Sequence, residues 1–113
     1  MNGGILMKNL NFAVLLEVYG SVLTEKQRNA AELYYWEDMS LGEIALEMNV
    51  TRQAVRDGIK RSEQKLSELE ENLGLAARIT DIKAIFGEIA KLSASPDNNK
   101  KILELAQKGR DLL

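Results

Sequence analysis

With 113 residues, 12.6 kDa, 45% apolar and 28% charged residues, and 15 basic side chains against 17 acidic, the chain is sized for one soluble domain, or one domain with a helical extension. It contains neither Cys nor His, which excludes disulfides, thiolate chemistry, thiolate or imidazole metal sites and the commonest general base. One Pro, 5% aromatics and long stretches of Leu, Glu, Lys, Ala and Gln predict an all-α fold, and with no paired, buried carboxylates in view neither a cofactor nor enzymatic activity is expected.

Residues 1–7 are set apart from the fold, because the second methionine, Met7, makes them an upstream start or a vector-derived remnant. Asn9 or Asn11 can cap a helix running to Tyr19, with Gly20 supplying a left-handed C-terminal cap. This helix is apolar nearly all round, so it should be packed on more than one side. Its apolar block is too short to span a bilayer, and no cleavable leader pattern is present, so the protein is expected in the cytoplasm. Thr24 followed by Gln27 forms a capping box that opens a second helix ending near Trp36 or Asp38. Ser40 followed by Glu43 repeats the device and opens a short helix through Met48, closed at Asn49, a residue that tolerates positive φ. Thr51 caps again, and the longest helix follows, with Val55, Ile59, Leu66, Leu69 and Leu73 on one side. Gly74 ends or bends it. Ile79, Ile82, Ile85, Phe86, Ile89 and Leu92 then recur at helical spacing. After a loop holding Pro96, Asp97 or Asn98 can cap a last helix.

Residues 40–65 meet the geometric demands of a helix-turn-helix at several independent positions. Ala45 is small enough for a steep helix crossing, Asn49 suits the turn, and Ile44, Met48, Val50, Val55 and Ile59 converge on one core. With those positions buried, Thr51, Arg52, Gln53, Arg56, Asp57 and Lys60 face outward at the start of the second helix. Such groups suit DNA: Arg pairs bidentately with guanine, Gln with adenine, and Thr and Lys reach phosphates. Charge agrees, since residues 51–65 carry five basic and two acidic residues, a net +3, whereas residues 1–50 carry three basic and seven acidic, a net −4.

Leu23-Thr24, Gln27-Arg28, Leu33, Tyr35, residues 41–45 and residues 51–66 resemble region 4 of the bacterial sigma-70 family, the helix-turn-helix that reads the −35 promoter element. Residues 9–12, 23–38, 40–45 and 50–57 more closely resemble the YlxM family of bacterial helix-turn-helix proteins, a likeness that covers residues 8–75. The sigma-like pattern, carried over position by position, implies Arg52, Gln53 and Arg56 as base readers, with Thr51, Lys60 and Arg28 as phosphate contacts. The YlxM likeness implies a role in, or regulation of, the signal recognition particle pathway. Two residues depart from a strong binder: Asp57 sits on the presumed DNA face, and Gly58 weakens the recognition helix by about 1 kcal/mol relative to Ala.

Other features are weighed against plainer roles. Tyr34, Tyr35 and Trp36 could stack bases, but their position at a helix end beside Met39 and Leu41 favours core packing. Glu43 and Glu47 lie four apart, but with no third ligand they make a solvated face rather than a metal site. Leu66, Leu69 and Leu73 continue an apolar stripe past the compact helix-turn-helix domain of residues 8–73, and must be covered by the chain's own tail or by a second copy. The favoured assembly is a homodimer joined through residues 74–113, with two recognition helices on one face of a duplex. Its expected partner is DNA; the alternative is an adaptor that contacts the RNA or protein of the signal recognition particle, without membrane insertion.

Overall fold

The computed structural model describes residues 10–113, and its ordered elements are all helical. The proposed remnant at residues 1–7 and the cap at Asn9 lie outside the described residues. The chain divides into two compact units, the first ending at Leu73 and the second spanning Gly74–Leu113.

In the first unit, α1 (Leu10–Tyr19) leads through a single 3-10 turn into α2 (Glu25–Tyr35), α3 (Leu41–Met48) and α4 (Arg52–Leu73). Both predicted capping boxes form: Gln27 N donates to Thr24 Oγ1, and Glu43 N donates to Ser40 Oγ, each at 3.1 Å, with the glutamine and glutamate side chains reaching back to the cap amides. Thr51 Oγ1 accepts from Ala54 N at 3.0 Å and starts α4. Asn49 stands at φ 57°, ψ 48°, and Val50 N donates to Ala45 O, five residues back. That bond fastens the end of α3 as the chain reverses into α4. α2 stops at Tyr35, slightly short of the expected end, and the connection passes through Asp38 at φ 56°.

Gly20 corrects the sequence reading. It is not in the left-handed region; among the described glycines only Gly74 is. Gly20 instead opens the 3-10 turn as a buried residue, and an added Cβ would lie 3.4 Å from Leu16 Cδ1 and 3.6 Å from Arg28 Nε. Its small size lets those side chains lie close over the backbone.

The core joins α2, α3 and α4 through Ala30, Tyr34, Leu41, Ile44, Ala45, Val55 and Ile59, with Met48 and Val50 packed at its edge. Burial of each large aliphatic chain contributes roughly 1.5–3 kcal/mol, so Ile44 and Ile59, both fully buried, carry much of the unit's stability. α1 packs on α2 and α4. Leu16 and Leu66 are fully buried, and Tyr19 Oη donates to Glu70 Oε1 at 2.7 Å, so α1 lies along the stretch of α4 where the apolar stripe begins. The stripe is not uniform, because Leu73 is 56% exposed. Ser62 shares the buried face of α4, its hydroxyl satisfied by Gly58 O at 2.9 Å.

The second unit is a hairpin of α5 (Leu75–Leu92) and α6 (Asn99–Asp111), joined by a turn at Pro96–Asn98. Gly74 takes φ 62° at the junction of α4 and α5, which explains the glycine there. Neither candidate cap of α6 acts through its side chain on that helix: Asn98 Nδ2 donates back to Leu92 O at 3.2 Å, while Ser95 accepts from Asp97 N. Gly109 lets the helices meet closely, since a Cβ there would lie 3.4 Å from Ile85 Cγ2. Among the described residues no helix is long and apolar enough to cross a membrane.

Candidate nucleic-acid interface

The α3–α4 turn controls which side of α4 remains open. Val55, Ile59, Ser62 and Leu66 point inward, so the outer surface of α4 can be laid out by its period of 3.6 residues per turn. Arg52, Arg56 and Lys60, each four residues apart, form one row. Thr51, Arg52 and Gln53 are exposed, whereas Arg56 and Lys60 are half-buried. Among the described residues, neither Arg52 nor Arg56 makes an ion pair or a side-chain hydrogen bond, so both guanidiniums keep their full set of donors.

The neighbouring row carries Gln53 and Asp57, and Gln53 Nε2 donates to Asp57 Oδ1 at 3.0 Å. The adenine-reading candidate is therefore engaged by the acidic residue beside it. A third row holds Ala54, Gly58, Arg61 and Lys65. The five basic residues that look like one patch in the sequence thus form two cationic edges of a single helix, with Gln53 and Asp57 between them.

At the end of the first row the site meets a partly buried polar pair. The Tyr35 hydroxyl donates to Glu63 Oε2, and Tyr35 also packs edge-on against Tyr34, with ring centroids 5.0 Å apart. Burial pushes the Tyr35 hydroxyl upward from its ordinary value, and the Glu63 carboxylate pushes it further, so it stays a donor. Burial raises the Glu63 carboxyl as well; the Tyr35 hydrogen bond and the Lys60 charge oppose that rise without cancelling it. Lys60 lies near enough to Glu63 to favour its carboxylate, but makes no ion pair with it among the described residues.

Arg28 stands apart from these residues. It projects from α2, where its Nε lies 2.9 Å from Glu32 Oε2 and its guanidinium lies over Gly20. The polar residues at the start of α2 that share a cleft with α4 are instead Lys26, Gln27 and the cap residue Thr24. Lys26 and Arg61 carry no sequence signal for this cleft, because nothing in linear order shows that the first turn of α2 lies beside the middle of α4.

The aromatic triplet divides. Tyr34 is core and Tyr35 packs against it, but Trp36 is 45% exposed and its Nε1 donates to Ala13 O at 3.2 Å, joining the end of α2 to α1. Core packing therefore describes two of the three. Glu43 is occupied in the cap of α3, and among the described residues no cluster of three acidic side chains could hold a metal ion.

The family profile described as "Putative helix-turn-helix protein, YlxM / p13 like" matches residues 6–106. A UPF0122 protein of Desulforamulus reducens is 52% identical over 79 residues, covering 70% of this chain and 68% of its own length. Another, from Exiguobacterium sibiricum, is 44% identical over 93 residues, covering 82% and 88%. The UPF0122 protein YlxM of Bacillus subtilis is 39% identical over 102 residues, covering 90% and 93%.

Proposed function

The chain belongs to the YlxM/p13-like helix-turn-helix family, and from that premise we propose that it is a DNA-binding, non-catalytic regulator of sigma-70 region 4-like architecture, acting in the cytoplasm. The observation that carries this reading is the row of Arg52 and Arg56 at the start of α4, solvent-accessible and free of acidic partners among the described residues. In this reading Arg52 and Arg56 read base edges, and Thr51 and Lys60 touch phosphates. Gln53 reads a base only after giving up its bond to Asp57. Arg28 contributes a phosphate contact only after releasing Glu32.

Two subunits would pair through the C-terminal hairpin and present two recognition helices to one duplex. Support comes from the apolar surface left open there: Phe86 is 63% exposed and Leu103 59%.

The test is a fluorescence-anisotropy titration with duplex DNA at low salt. Arg52→Ala combined with Arg56→Ala should weaken binding by roughly 30-fold or more, the loss of about 1–3 kcal/mol for each specific arginine contact. The wild-type affinity should fall as salt rises, with log K against log salt steepening by about −0.9 for each phosphate neutralised, and Lys60→Ala should make that slope shallower by about one. Equal affinity of the double variant and the parent would end the DNA reading.

A second reading, an adaptor that contacts the RNA or protein of the signal recognition particle, draws on the carboxylate at Asp57 in the middle of the presumed DNA face. Pull-downs with and without nuclease separate RNA-bridged contacts from direct protein contacts.

A further inference from the structure

We infer that the cleft between the first turn of α2 and the middle of α4 is a binding site for a small amphiphilic anion, a carboxylate on a short alkyl or aromatic body. This site is distinct from the Arg52–Arg56 row and does not depend on the nucleic-acid reading.

The cleft encloses about 340 Å³, within the size range of small-ligand sites, roughly 300–1,000 Å³. Its lining is sorted by chemistry. The apolar part is made by Ala30, Met48, Val50, Ala54 and Val55. Every polar side chain in the lining can donate: Lys26, Arg61, the Gln27 amide and the Thr24 hydroxyl. The caps leave those donors available, because Thr24 Oγ1 and Gln27 Oε1 are used only as acceptors. No carboxylate lines the cleft, in a chain where acidic residues outnumber basic ones. Cations with an apolar floor complement an anionic head on an apolar tail.

Gly58 widens the same cleft. A glycine inside a helix is costly, and such residues usually make room for a neighbouring segment. Here a Cβ would meet nothing within 4 Å. The chain itself gives no steric reason for glycine at this position, yet Gly58 lies in the cleft wall beside Ala54, where the missing side chain leaves space open.

Octanoate is the probe, titrated into the full chain and followed by two-dimensional amide NMR. Saturable shifts are expected at Ala30, Ala54 and Gly58 with a Kd below about 1 mM. Octan-1-ol and inorganic phosphate should each bind at least about tenfold more weakly, since each offers only half of the complement. Arg61→Glu, an exposed substitution, should weaken octanoate by at least about tenfold. Gly58→Leu, which has room for its Cβ and grows into the cleft, should abolish binding. The inference is overturned by the absence of saturable shifts up to about 10 mM octanoate. Phosphate or octanol binding as tightly as octanoate would also overturn it, as would octanoate binding that survives either variant.

Discussion

Asp57 is the residue on which the strength of nucleic-acid binding turns. It places a negative charge between two cationic edges of α4, and its bond to Gln53 holds both side chains on the exposed face. Replacing Asp57 by Asn keeps an acceptor for Gln53 and removes the charge. DNA affinity of the D57N protein should rise roughly three- to tenfold in the same anisotropy titration, the factor expected for about 1 kcal/mol of relieved repulsion. Unchanged or weaker binding would mean that no phosphate approaches this face. Glu63 makes a different prediction at this scale. Burial raises its carboxyl above the ordinary value near 4.5, so the folded state holds the Glu63 proton more tightly than the unfolded chain does. Its contribution to stability is therefore most favourable below that value and diminishes as pH rises through the raised one. Glu63→Gln removes the titration, so the parent should lose melting temperature relative to the variant as pH rises from about 4.5 toward neutrality. Parallel profiles for the two proteins would show that Glu63 does not couple to folding.

Among the elements, the α3–α4 connection matters most, because it directs the cationic rows outward. Asn49 is the pivot, and its φ of 57° is costly for most side chains. Asn49→Gly should therefore leave the thermal midpoint nearly unchanged, while Asn49→Ala should cost about 1 kcal/mol, or about 4–8 °C for a unit of this size. Equal melting of the two variants would show that the turn can relax without left-handed backbone. The same elements show how far local signals reach. Thr24-Gln27 and Ser40-Glu43 announce two helix starts in plain sequence, and both boxes form because capping needs only residues three apart. Gly20 was misread for a related reason. A glycine after a helix satisfies a local template for a left-handed cap, whereas its actual role is set by Leu16 and Arg28, which reach it from two different helices.

For the molecule as a whole, the second unit is the part least able to stand alone. Ala76, Ile85 and Gly109 are its buried residues, and a two-helix hairpin leaves Phe86 and Leu103 open. If that surface pairs two subunits, Phe86→Ser with Leu103→Asp should convert a dimer to a monomer in sedimentation equilibrium, with the helical signal of the first unit retained. A wild-type chain that sediments as a monomer at high micromolar concentration would remove the dimer from the proposal.

The amino-acid sequence alone determined the all-α class, the capped starts of α2, α3 and α4, the left-handed turn at Asn49, and Arg52 and Arg56 at the head of an amphipathic helix. Each of these follows from residues within a turn or two of one another, where backbone geometry relates spacing directly to position. Tertiary structure alone decided that Lys26 and Arg61 share a cleft, that the Arg28 guanidinium lies over Gly20, that Tyr35 reaches Glu63, and that α1 packs on α4. Most of these depend on the packing of helices far apart in the chain, and side-chain packing over such distances follows no period that linear order displays.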